Sequence, residues 1–151
     1  IAKLIEYGAS GTSIHQKIYD SSSFNRLKLL GIALSNMTQI TNIPVVYITL
    51  SQKELNSCNY QKGDTEGFVN YGLSLKGIQF SCIMIENEQE GKIKMSFRSK
   101  GDFSVNDFAR TYFQGGGHFN AAGGMCTDSI EQTVLRFQKA VAEVSAQFQK
   151  E

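Results

Sequence analysis

The sequence predicts an α/β fold: a mixed β-sheet flanked by helices, preceded by a helical linker. Three observations carry this. Val45–Leu50 is almost continuously apolar and rich in β-branched residues, the pattern of a central strand. Lys92–Ser99 alternates, with Ile93, Met95 and Phe97 on one side and Lys92, Lys94, Ser96 and Arg98 on the other. Near the C-terminus, Ile130, Val134, Phe137, Val141, Val144 and Phe148 recur at helical spacing and make one long apolar stripe.

The other elements follow in chain order. Residues 1–7 read as the tail of a helix stopped by Gly8. Ser10 or Thr12 caps the next helix, which carries Ile14, Ile18 and Tyr19. Phe24, Leu27, Leu30 and Leu34 then recur at spacings of three and four, the stripe of a packed helix. Residues 1–37 are assigned to a linker or to the closing helices of a preceding domain, and 38–151 to the domain proper. Ser51 caps a short helix, and Asp64 or Thr65 caps another that carries Phe68, Val69 and Leu73. Ile78, Phe80, Cys82 and Met84 alternate with Gln79, Ser81, Ile83 and Ile85, a strand well inside the sheet. Glu90-Gly91 turns into Lys92–Ser99. Ser104 caps a helix with Val105, Phe108, Ala109 and Phe113, which the glycines at 115–117 stop. After His118 a turn leads to an edge strand around 125–127, and Asp128 or Ser129 caps the last helix. Its stripe packs on the sheet or, in part, on a second subunit, which makes a homodimer one expectation.

With 151 residues the chain can build one substantial core. The net charge of +1 gives no field suited to duplex nucleic acid or an acidic membrane, and leaves short oligomers, nucleotides and small anions as partners. Cys58, Cys82 and Cys126 are isolated and odd in number, without the spacing of a zinc knuckle or redox pair; a reducing, cytoplasmic setting is expected. No apolar run approaches the length of a membrane span. The opening Ile-Ala-Lys-Leu-Ile-Glu, without Met, reads as part of a longer protein.

The densest signal is Gly115, Gly116 and Gly117 followed at once by His118, then by Ala121, Ala122, Gly123 and Gly124. One glycine suffices to end a helix. Three of them beside an imidazole favour an anion-binding loop, with backbone N–H groups offered to a phosphate or carboxylate. No Gly-Lys-Ser/Thr follows, so it is not a Walker loop. His118 fits a hydrogen bond to a phosphate oxygen, against the plainer role of satisfying a backbone carbonyl. With His15 far away in sequence, metal binding by this chain is disfavoured. Arg98 can grip a phosphate through two parallel bonds, and Ser96 shares its face. Ser99, at the strand end, and Lys100 are weaker candidates. The competing reading is a solvated strand face. Asp64 and Glu66 are helix-start acids by pattern, or residues that border a cleft. Phosphodiester hydrolysis commonly uses metals held by clustered Asp and His. The chain has two histidines, not adjacent, and no Asp-x-Asp, so it reads as the part that holds a substrate rather than the part that cuts it.

Gly115-Gly-Gly-His-Phe-Asn-Ala-Ala-Gly-Gly124, Met95-Ser-Phe-Arg-Ser-Lys-Gly101 and Asp64-Thr-Glu-Gly-Phe-Val-Asn-Tyr71 resemble the DHH-associated domain, the C-terminal half of DHH-family phosphoesterases. With Leu27-Lys-Leu-Leu-Gly-Ile-Ala-Leu34 they resemble the bacterial oligoribonucleases (nanoRNases) that also act as 3′-phosphoadenosine-5′-phosphate phosphatases. The resemblance implies a two-domain enzyme with two manganese ions in an N-terminal Asp-His-His domain and the present domain closing over the cleft. It assigns Arg98 and His118 to substrate binding, with backbone contacts from Gly115, Gly116 and Gly117. Short single-stranded RNA or nucleotides are the implied ligands, and the N-terminal domain the implied partner. No Asp-His-His segment occurs in this sequence. The choice among short RNA, bisphosphonucleotide, cyclic-dinucleotide product and polyphosphate stays open, as does a non-catalytic nucleotide- or phosphate-binding module.

Overall fold

The computed structural model describes residues 7–8, 10–19 and 22–148. The helix tail expected over 1–7 lies, but for Tyr7, outside them. Helices α1 (Gly11–Tyr19) and α2 (Phe24–Ser35) lead into β1 (Thr38–Gln39) and β2 (Val45–Leu50). Then come α3 (Gln52–Ser57), α4 (Phe68–Leu73), β3 (Phe80–Asn87) and β4 (Lys92–Ser99). Helix α5 (Val105–Tyr112), the hairpin β5 (Gly116–His118) and β6 (Ala121–Cys126), and α6 (Ile130–Glu143) complete the order.

The six strands among the described residues form one sheet in the order β1-β2-β3-β4-β6-β5. Only β2 and β3 are parallel, and α3 and α4 form the crossover that a parallel pair requires. The sheet is therefore mixed, with helices on both faces.

Each face has its own core. On one, Leu29 and Ala33 of α2, Leu55 of α3 and Phe68 and Val69 of α4 pack with Ile48, Leu50 and Ile83. Helix α4 comes unusually close, because a Cβ on Gly72 would stand 2.2 Å from Ser81 Oγ. That hydroxyl donates to the Val69 carbonyl at 2.7 Å. On the other face α5 and α6 cover an aromatic core. The Phe80 ring there lies 5.1–6.4 Å from the rings of Phe97, Phe103, Phe108, Phe137 and Phe148. Such pairs add about 0.5–1.5 kcal/mol each beyond area burial. The stripe of the last helix is committed here: Phe137 and Val141 are fully buried, with Ile130, Val134 and Val144 packed alongside.

Capping serines lie where the pattern puts them. Ser10, Ser51, Ser104 and Ser129 each accept a backbone N–H from three residues on. Three expectations are corrected. The N-cap of α4 is Gly67, in a left-handed conformation, while the Asp64 carboxylate accepts the Gln61 N–H at 2.8 Å. Helix α2 buries Leu29 and Ala33 instead of Phe24, Leu27 and Leu34, which stay exposed among the described residues. Sequence periodicity names an apolar face, but Leu29 and Ala33, off that stripe, are the side chains that meet the sheet. Finally, β6 lies inside the sheet between β4 and β5, and the glycines themselves form the edge strand. Ala-Ala-Gly-Gly has little strand propensity, and tertiary packing overrides it.

Candidate functional site

Strand β4 builds the site. Its alternation sends Ile93, Met95 and Phe97 into the aromatic core and Lys94, Ser96 and Arg98 to the opposite side. Helices α2, α3 and α4 cover that side over β2 and β3. Over β4, β6 and β5 it stays open, with Ser96, Arg98, Ala121 and Gly123 only half-buried and His118 exposed.

The register then brings the two main candidates together. Arg98 pairs with Ala121, and Ala121 pairs with His118. Directly opposed residues project to the same face, so Arg98 and His118 flank one alanine, with Cα atoms about 10 Å apart across two strand spacings. In the next row Ser96 pairs with Gly123, which pairs with Gly116. A methyl group and two glycines leave a shallow trough floored by backbone.

The remaining candidates sort by geometry. Ser99 faces the other core, where its hydroxyl donates to the Phe103 carbonyl at 2.7 Å and accepts from Asn120 Nδ2 at 2.9 Å. The Lys100 ammonium donates to the Leu73 carbonyl at the C-terminal end of α4. The Gly115 N–H donates to the Ala109 carbonyl at 3.2 Å, and the Gly117 N–H to Asn106 Oδ1 at 2.9 Å. Those two amides are engaged within the fold, so the part these glycines visibly play is steric. The left-handed residue that ends α5 is Gln114, not a glycine.

Charge on the strand is answered selectively. Glu90 pairs with Lys92 at 2.7 Å and also with Lys94. Hydrogen bonds from these two lysines hold its carboxyl down to about 2. Arg98 donates to the Phe97 carbonyl at 2.8 Å, and among the described residues no carboxylate pairs with it. It is the basic group of this strand that lacks an acid.

Beside the open rows lies a cleft of about 380 Å³, walled by Leu55, Asn56, Tyr60, Thr65, Lys94 and Ser96. Asp64 and Glu66 flank Thr65 in the chain, on the loop that forms the cleft's rim, and do not themselves line the cleft. Arg26 of α2 fixes that rim by donating to the carbonyls of Gly63, Asp64 and Glu66, the last at 2.8 Å, while its guanidinium lies 4.9 Å over the Phe68 ring. Sequence reasoning did not place Tyr60 or Thr65 at a site. They reach the cleft from a loop, Thr65 within the Asp64–Tyr71 motif but read only as a helix cap, Tyr60 without periodicity or motif to mark it. Among the described residues no three His, Cys, Asp or Glu side chains gather as a metal site, so the residues present do not fit the implied manganese ions. No helix among them is long and apolar enough to cross a membrane.

A mixed sheet clad by helices on one side and half-clad on the other defines an α/β domain with one open, basic strand face. Residues 42–150 match the model of the DHHA1 domain, and the chain belongs to that family. It is similar to an exopolyphosphatase-related protein from Bacteroides fragilis, with 38% identity and a TM-score of 0.91 over 97% of this chain and 42% of that one. The fold is also that of the pGpG-specific phosphodiesterase PggH from Vibrio cholerae, at 16% identity and a TM-score of 0.56 over 81% of this chain and 39% of that one. The chain thus spans about two fifths of the length of these relatives. No curated protein sequence matches it.

Proposed function

We propose that this domain holds a phosphate of a short oligoribonucleotide or a 3′,5′-bisphosphonucleotide for a phosphoesterase whose metal site lies in another part of the protein. The observation that carries the reading is the row Arg98–Ala121–His118 on the uncovered half of the sheet. A guanidinium without an acidic partner and an exposed imidazole face one trough, a pairing suited to a doubly charged oxyanion. Membership of the DHHA1 family and the likeness to an exopolyphosphatase-related protein support phosphoester chemistry. The manganese ions implied by the family resemblance are assigned to the preceding DHH domain. The residues described here bind and orient. Grip on a remote phosphate aligns the reacting one, which accounts for a preference for short substrates.

The test is Arg98→Ala in the full-length protein. Loss of a charged hydrogen bond weakens binding by roughly tenfold or more. KM for di- and trinucleotides therefore rises by at least about that factor. Unchanged KM rejects the assignment. Arg98→Lys keeps the charge without the two-pronged geometry and falls between.

A further inference from the structure

The cleft beside Ser96 differs in chemistry from the Arg98 row. Its walls are apolar at Leu55 and Ile85 and aromatic at Tyr60, whose ring packs against the core beneath α3 and α4. Tyr60, Thr65 and Ser96 line it, and among the described residues none of their three hydroxyls has a hydrogen-bond partner. Its charged groups are already engaged. Lys94 is held by Glu90, and Glu86 accepts the Gln52 N–H at 2.8 Å. A second phosphate would find no free cation among the described residues of these walls. A flat, neutral ring with several polar atoms on its edge meets an aromatic face, apolar walls and open hydroxyls. The cleft's size lies within the range of small-molecule sites.

We propose that this cleft is a nucleobase subsite, occupied by the base of the nucleotide whose phosphate lies at Arg98; it rests on the phosphate reading above. Ser96 and Arg98 share one face of β4, two residues and about 7 Å apart, so one nucleotide joins the two. Tyr60 supplies the stacking surface, and Thr65 and Ser96 meet the edge of the ring. The rim is set in advance, because Arg26 clasps the carbonyls on either side of Thr65.

The experiment is calorimetry on the full-length protein with two ligands, adenosine 5′-monophosphate and ribose 5-phosphate. Wild type binds the nucleotide more tightly. Tyr60→Leu removes the stacking ring and Thr65→Trp fills the cleft. Each weakens the nucleotide by at least about tenfold and leaves ribose 5-phosphate unchanged. Arg98→Ala weakens both. Equal affinity of the wild type for the two ligands, or an unaltered ratio in both cleft variants, overturns the base subsite. If Arg98→Ala leaves ribose 5-phosphate unaffected, the phosphate reading fails instead, and the ratio still decides the cleft. Should Tyr60→Leu lose both ligands because the ring also packs on the core, Thr65→Trp, at a half-buried loop position, decides the question.

Discussion

Gly115 lies against the backbone of Gly123, so that a Cβ on Gly115 would stand 1.9 Å from the Gly123 carbonyl oxygen and 2.7 Å from the Gly124 Cα. The glycine run is thus explained first by packing. The chain leaving α5 folds flat onto β6, and side chains there have no room. Gly115→Ala should cost roughly 1–3 kcal/mol, the range of an overpacked site, read as a lower urea midpoint with an unchanged slope. Gly116 is different: the nearest atoms to its Cβ would be Asn106 Oδ1 at 3.4 Å and Arg110 Nε at 3.5 Å, ordinary contact distances to side-chain ends. Gly116→Ala should leave stability within about 1 kcal/mol, the strand-propensity scale, with its methyl set against Asn106 and Arg110 of α5. Equal losses at the two positions would contradict this account.

Arg26 holds the 63–66 loop by its carbonyls alone, an arrangement that one ammonium cannot copy. Arg26→Lys should lower stability by roughly 1–2 kcal/mol. Amide exchange should quicken at Gly63–Gly67 while the sheet stays protected. A loop that exchanges no faster would show that the clasp is incidental.

Glu90 sets the acid response of the strand. Its folded value of about 2 lies below its ordinary 4.5 because Lys92 and Lys94 donate to it. Its contribution to stability is therefore fully present above its unfolded value and is lost as pH falls from there through the folded value. The stability gap between wild type and Glu90→Gln should be constant near neutrality and shrink in acid. The same variant frees Lys94 at the cleft wall, so anion binding should tighten at low salt and become more salt-dependent.

The three thiols should be silent in the native state. Cys58, Cys82 and Cys126 are each no more than 4% exposed, and burial pushes the Cys82 thiol well up. Reaction with a thiol reagent should follow unfolding, with the same denaturant midpoint as the loss of circular dichroism. Rapid labelling of one cysteine before that midpoint would reveal a local opening.

The sheet's interior was legible because its strands carry their own period. Val45–Leu50 marks a strand buried on both sides, Lys92–Ser99 states which side is inward, and serine caps mark four helix starts. The Arg98–His118 relationship was legible as two residues of a suitable kind, but their shared row depends on β6 pairing with both neighbours. Nothing local in Ala-Ala-Gly-Gly announces a strand, so that pairing lies beyond periodicity. Phe113 and Phe97 decide it: a Cβ on Gly124 would lie 2.9 Å from an atom of each. The buried side of α2 and the cleft escaped for a similar reason, since each is assembled from segments far apart in sequence.

Strand β4 is one peptide with two duties. The residues between Lys94, Ser96 and Arg98 are Met95 and Phe97, immobilised among aromatic rings. Whatever docks on the outer side therefore presses on a keel whose other edge is already set. Little motion is left there to be frozen, and recognition can be quick to register a misplaced atom. A softened Phe97 should be felt by a visitor that never touches it.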